Sequence, residues 1–303
     1  MATQSRTRLA VLRPQLDLLY GRFNAPEAAQ DPVAFVRRAA DPADREIVAF
    51  LAAGLAFGRV ASVMASIARI LAVVGPRPAD YVRRFDARRH GGALAGLVHR
   101  WTRGPDLAAL VLVLQRMLGE AGSVEGFFAR GLAPGDEDVT GALESFSRRA
   151  LAVDVASAYE GAPRRPGVAY FFPRPSTGSA CKRLNLFLRW MVRRDRVDPG
   201  GWTAVGPSRL VVPLDTHVVR VGRCLRLTRY TSPGWRMAAD ITRSLRQLDP
   251  DDPVKYDFAL CHLGMTGACG FSRPQRDARC PLRGVCRPAG RTRRGSRAPS
   301  ARR

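Results

Sequence analysis

The chain has 303 residues, 46% of them hydrophobic, enough to bury a substantial core and to exclude a disordered polymer. Its 49 basic residues against 26 acidic ones leave a formal charge of +23, which raises affinity for phosphate backbones through counterion release and makes nucleic acid the expected partner. No apolar run of about 18 residues indicates a membrane span, and the opening MATQSRTRLAVLRPQLDLLYGRF lacks the compact apolar stretch of a secretory signal, so a cytoplasmic, nucleoid-associated protein is expected.

Helical signals dominate in chain order. Asp31-Pro32, Asp41-Pro42, Ser232-Pro233 and Asp252-Pro253 each place an N-cap acceptor before a first-turn proline. In EIVAFLAAGLAFGRVASVMASIARILAVVG the apolar residues recur at helical spacing, with Gly54 and Gly58 allowing a break between two helices. Further helices are expected at DLAALVLVLQRML, VEGFFARGL, DVTGALESFSRRALAVDVASAY and WRMAADITRSLRQL. The one candidate strand, LVVPL before Asp215, contains a proline. The expected class is all-α.

The stretch from Glu160 to Ser179 is rich in proline and glycine and is expected to mark a lobe boundary or cleft rim. Tyr170, Phe171 and Phe172, beside Arg164, Arg165 and Arg174, are residue types that stack bases and hold phosphates, or that pack at an interface. After Cys286 the chain is a low-complexity basic tail with no apolar residues to fold around.

Only two of the basic residues are lysine, Lys182 and Lys255. An arginine stays protonated, whereas a buried lysine can become an amine nucleophile. Lys182 stands at a predicted helix start in GSACKRLNLFLRWMVRRD, and the next element, SRLVVPLDTHVVRVGRCLRL, supplies Asp215. Asp215 precedes a helix, so its carboxylate can either cap that helix or stabilise a cation forming opposite it. His217 is expected to be a hydrogen-bonded residue of the helix start, and Trp190 either core or pocket wall. Cys261, Cys269, Cys280 and Cys286 are clustered, which in a reducing compartment points to metal or iron–sulfur ligation before disulfides; Cys181 and Cys224, in apolar helices, are expected in the core.

LDTHVVRVGRCLRL resembles a segment of the helix-hairpin-helix DNA glycosylases, the superfamily of endonuclease III, with Asp215 on the catalytic aspartate. FALCHLGMTGACGFSRPQRDARCPLRGVC is similar to the end of those enzymes, where a helix leads into a cysteine loop. KRLNLFLRWMVR and KYDFALCHLG also resemble an uncharacterised bacterial family near this superfamily. The resemblance implies a two-lobed helical fold: N-terminal helices (1–44) packing with the C-terminal lobe, a six-helix-barrel-like lobe (45–160), a hairpin and catalytic-aspartate lobe (161–268), a cysteine loop (269–286) and the basic tail (287–303). It implies a monomeric base-excision enzyme acting on double-stranded DNA with a damaged base, with Lys182 and Asp215 catalytic and Gly178, Ser179, Arg183, Arg220, Arg273 and Arg279 on DNA. A non-enzymatic nucleic-acid-binding protein on the same scaffold is the alternative. The implied cofactor is a [4Fe–4S] cluster; Asp277 stands where the second loop cysteine would fall, and Cys261 is expected to supply the fourth thiolate beside Cys269, Cys280 and Cys286. The usual hairpin sequence is also absent, with PRPSTGSACKRLNLFL in its place.

Overall fold

The computed structural model describes residues 6–28, 30–159, 167–269 and 278–286. Helices dominate these residues, so the all-α class holds. Helix α1 (Arg6–Phe23) is followed by α2 (Val33–Arg38) and α3 (Pro42–Gly54). Asp41 caps α3 by accepting from the backbone N–H of Ala43 and of Asp44 at 2.9 and 3.0 Å, with Pro42 in the first turn. Every residue from Glu46 to Gly54 is buried. Helix α3 is therefore enclosed rather than amphipathic, packed by α2, by α5 (Pro78–Arg83) and by α10 (Lys182–Val192). The expected break is present, since α4 (Val60–Val74) begins only after Gly58, whose φ of 106° is left-handed territory.

Helix α6 (Ala87–Ala95) and α7 (Gly104–Ala121) lie side by side, and α7 also packs on α5, α8 (Val124–Ala129) and α9 (Thr140–Leu151). Between α6 and α7 runs a hairpin that the sequence did not announce: β1 (Val98–His99) pairs antiparallel with β2 (Thr102–Arg103). The LVVPL segment, by contrast, is extended and buried but in no sheet; Thr242 Oγ1 accepts from Val212 N–H at 3.0 Å instead. The helix expected to run through to Tyr159 stops at Leu151. Helix α11 (Thr216–Cys224) packs on α13 (Asp257–Met265), and α13 on α1, with α12 (Trp235–Arg246) between them in the chain and α14 (Arg283–Cys286) after them. One apolar cluster connects Leu12 of α1 through α3, α7 and α10 to Cys286. Trp190 belongs to it and is fully buried. Among the described residues no helix is long and apolar enough to cross a membrane.

Two buried charge systems fix how these helices meet. Glu46 of α3 accepts from the N–H groups of Val124 and Glu125 and from Trp202 Nε1, at 2.9, 2.9 and 2.8 Å, so a carboxylate 78 residues away satisfies the orphan donors at the start of α8. On α10, Arg189 contacts Asp198 at 2.9 Å and Asp257 at 2.7 Å, while Arg193 contacts Asp252 at 2.9 Å, Asp195 at 3.0 Å and Asp198. Tyr20 of α1 donates to Asp195 at 3.0 Å, completing a bridge from α1 through α10 to α13.

Candidate active site

A cavity of about 530 Å³ opens between α10, α11 and α13, within the range of about 300–1,000 Å³ usual for small-ligand sites. Helical periodicity explains who lines it. Asp257, Cys261 and Met265 stand at i, i+4 and i+8 on α13, and Lys182, Leu186 and Arg189 form the matching stripe on α10. The loop after α3 supplies Ala56, Phe57 and Gly58, and the approach to α11 supplies Asp215. Lys182 and Asp215, 33 residues apart, thus face one space. A larger depression of about 910 Å³ beside α7 and α9 holds the Arg116–Glu120 pair and Arg149, which lies 4.0 Å over the Phe127 ring and donates to the Phe127 carbonyl at 2.6 Å.

Lys182 is the first residue of α10, and its Nζ donates to the Ala56 carbonyl at 2.9 Å. The preceding Cys181 is left-handed (φ 48°) and buried, and burial pushes its thiol up to about 12, so it packs as a neutral group. In front of α10 stand two short 3₁₀ segments, Gly167–Phe171 and Pro175–Thr177, and Gly178 at φ 80°. Lys255, the other lysine, is occupied elsewhere: it contacts Asp249 at 2.5 Å and Asp17 at 3.3 Å, tying α1 to the segment before α13.

Asp215 is the N-cap of α11, its Oδ1 accepting from Val218 N–H at 2.7 Å. Its Oδ2 accepts from the Cys261 thiol at 2.9 Å. Burial, then the negative field of Asp215 and Asp257, pushes the Cys261 thiol well up, so it remains a protonated donor. Close approach of α11 and α13 depends on Gly264, where a Cβ would lie 2.6 Å from His217 Cβ. The His217 ring packs on that glycine; its Nδ1 is buried with no hydrogen-bond partner among the described residues, contrary to the hydrogen-bonded role expected of it.

The cavity also carries groups for which the sequence suggested no role in a site. Asp257, 3% exposed, has its carboxyl pushed up to about 7 by burial, against the opposing pull of Arg189. His262, also buried, bonds the Phe258 carbonyl through Nδ1 at 2.8 Å, and burial lowers its pKa, keeping the ring neutral. Asp31 adds a carboxylate whose Oδ1 accepts from Val33 N–H at 2.9 Å, just before α2. The signal for Asp257 and Cys261 was present in KYDFALCHLG as helical spacing, and it became readable only once α13 was known to face the cavity.

Cys261, expected to join the loop cysteines, has a different neighbour. Cys261 faces Asp215, while Cys224, expected in the core, is the last residue of α11 and sits with the loop thiols. Its thiol is pushed up first by a hydrogen bond with Cys269, then by burial and by Cys286; the Cys280 thiol is likewise pushed up first by its hydrogen bond with Cys269. Cys224, Cys269, Cys280 and Cys286 are therefore one connected set of thiols, although among the described residues no group of three or more such side chains is disposed to hold a metal ion as it stands.

Residues 31–266 match the family described as a protein of unknown function, DUF2400. The chain belongs to this family. No curated protein and no solved structure matches it. Every residue lining the cavity, from Asp31 to Met265, falls inside the DUF2400 span, whereas Cys269, Cys280 and Cys286 lie beyond it.

Around this DUF2400 core the residues expected on DNA are scattered. Gly178, Arg220 and Arg279 are exposed, and Ser179 accepts from Cys181 N–H at 3.2 Å. Arg183 is turned inward, donating to the carbonyls of Gly54 and Tyr170 and lying 5.4 Å from the Phe57 ring. Phe171 and Phe172 are buried, Tyr170 is exposed, and Arg174 pairs with Glu144 at 3.7 Å. Arg164, Arg165, Arg273, Arg276, Asp277 and the basic tail lie outside the described residues.

Proposed function

We propose that this chain is a DNA base-excision glycosylase of the helix-hairpin-helix kind, two-lobed, with associated lyase activity. The observation that carries the proposal is that Lys182 and Asp215 line one cavity large enough for an extruded nucleotide base. A net charge of +23 supports duplex DNA as the substrate.

The chemistry follows from the two side chains. The glycosidic bond is inaccessible inside the base stack, so the target nucleotide is flipped into the cavity. Lys182 Nζ, oriented by its hydrogen bond to the Ala56 carbonyl, attacks the anomeric carbon; the C1′–N bond breaks and the base leaves with the bonding pair. Asp215, anchored through Oδ1 to α11, stabilises the oxocarbenium charge that develops as the base departs. The amine loses a proton, and the C1′–O4′ bond then breaks with O4′ taking a proton, which opens the sugar to a Schiff base; loss of a C2′ proton expels the 3′ phosphate and cleaves the strand. A [4Fe–4S] cluster fits the thiol set Cys224, Cys269, Cys280 and Cys286 better than a set containing Cys261, and would act structurally, pinning the end of α11 to the C-terminal loop.

Borohydride trapping on a panel of duplexes, each bearing one damaged base, tests this reading. A covalent adduct that disappears in Lys182→Gln supports the lyase. Base release without an adduct assigns the attack to water, with Asp215 retained. No base release on any duplex, together with DNA binding unchanged in Asp215→Asn, excludes the enzyme and leaves a binding protein.

A further inference from the structure

The β1–β2 hairpin carries a feature that base excision alone does not require. Its turn is Arg100-Trp101, with Arg100 held at φ 55°, a conformation costly for a side chain with a Cβ. The hairpin is anchored from below: His99 is buried, with Nδ1 on Ser66 Oγ at 2.9 Å and Nε2 on the Phe57 carbonyl at 3.0 Å. That anchoring holds Trp101 outward. Trp101 is 49% exposed and Tyr170 55% exposed.

The exposed rings are ordered. Trp101 stacks on Phe57 at 4.6 Å with an interplanar angle of 16°, and Tyr170 lies 5.8 Å from Trp101. Beneath them Arg183 spans the Phe57 ring and the Tyr170 carbonyl, fixing the relative positions of the three. Phe57 is also a cavity wall, so the row of rings runs from the candidate active site out to solvent. The segments 57–79, 87–105 and 161–194, which together supply all three rings, contain no Asp or Glu, and the carboxylate nearest the hairpin, Asp106, is buried and accepts from Arg103 N–H at 2.9 Å. Arg59, Arg69, Arg100 and Arg103 are exposed around the hairpin.

We propose that Phe57, Trp101 and Tyr170 form a base-stacking platform for unpaired nucleotides of a nucleic-acid strand adjoining the cavity mouth. Aromatic faces held among cations suit an unpaired strand, because every base has a π-face and each nucleotide brings a phosphate to the arginines. An apolar protein partner would leave those arginines without a counter-charge. The platform extends the nucleic-acid reading given above but is independent of its chemistry, since stacking is measured without turnover; a protein that stacks bases yet releases none separates the two.

Binding of fluorescein-labelled single-stranded oligothymidylate or heparin, followed by anisotropy in every variant, tests the platform together with quenching of tryptophan fluorescence; heparin is a polyanion that has no bases. Trp190 and Trp202 are buried but Trp235 is only partly so; in a Trp235→Phe background Trp101 is the exposed indole that an added base quenches. The expected result is quenching by oligothymidylate and not by heparin. Trp101→Ala and Tyr170→Ala weaken oligothymidylate binding roughly tenfold each, as the loss of one stacked base does. Trp101→Phe, which keeps a ring, retains most of the affinity, and heparin binding stays within about twofold in all three. Equal quenching by heparin, or alanine variants that bind oligothymidylate as the parent does, overturns the proposal. So does a parallel loss of heparin binding, which would make the rings a support for the arginines only.

Discussion

The thiol of Cys261 donates to Asp215 Oδ2 at 2.9 Å, while the other oxygen of the same carboxylate caps α11 through Val218. One aspartate therefore serves a helix start and a cavity at once, and the two roles can be separated. Asp215→Asn keeps an acceptor for Val218 N–H, so the melting temperature should barely move while base release falls by more than about a hundredfold. Asp215→Ala should lose the same activity and in addition about 1 kcal/mol of stability. If Asp215→Asn retained activity, the carboxylate would be a cap alone.

Cys261→Ala removes one donor from Asp215 without touching the cap. Hydrogen bonds to a charged group contribute about 1.5–3 kcal/mol, so single-turnover base release should drop by tenfold or more while DNA affinity is retained. Cys261→Ser, which restores a donor, should recover part of the loss.

The regrouping of the cysteines has its own measurement. Iron and acid-labile sulfide in anaerobically purified protein should be lost in Cys224→Ser and kept in Cys261→Ser, because Cys224, like Cys280, bonds Cys269, whereas Cys261 bonds Asp215. The opposite pattern would return Cys261 to the cluster.

Asp198 holds two guanidinium groups, those of Arg189 and Arg193, and is itself fully buried. Asp198→Ala leaves both cations short of a partner in the interior, and breaking such a network costs about 3–5 kcal/mol. Chemical denaturation should register this as a lowered midpoint with little change in slope.

Burial raises Asp257 from 3.8 to about 7, so the folded protein binds a proton there that the unfolded chain releases at lower pH. Its contribution to stability is complete below pH 3.8 and is lost as pH rises through about 7. Asp257→Asn, which cannot ionise, should flatten that part of the stability profile in thermal melts taken across the range.

Much of the helical architecture was legible in sequence because its causes are local. Asp41-Pro42 announces α3, the apolar periodicity of DLAALVLVLQRML announces α7, and Gly58 announces the break before α4. The β1–β2 hairpin was not legible, since a two-residue strand carries no periodicity and Arg100 takes a conformation its residue type does not advertise. Asp31, read only as a helix-start acceptor, and Asp257 were not recognised as cavity groups for a different reason. An aspartate at a helix start and a buried one look alike in sequence, and only their position against α10 and α11 makes them cavity groups.

By itself, the sequence determined the helical class, the cationic character and the candidacy of Lys182 and Asp215, because periodicity, charge and residue chemistry are properties of short stretches. Tertiary structure decided that these two side chains share a cavity, that Cys261 serves Asp215 and Cys224 joins the loop thiols, and that Arg183 turns inward. Those outcomes depend on how helices cross. A thiol or a guanidinium takes the partner that packing brings within about 3 Å, and sequence separation does not encode that distance.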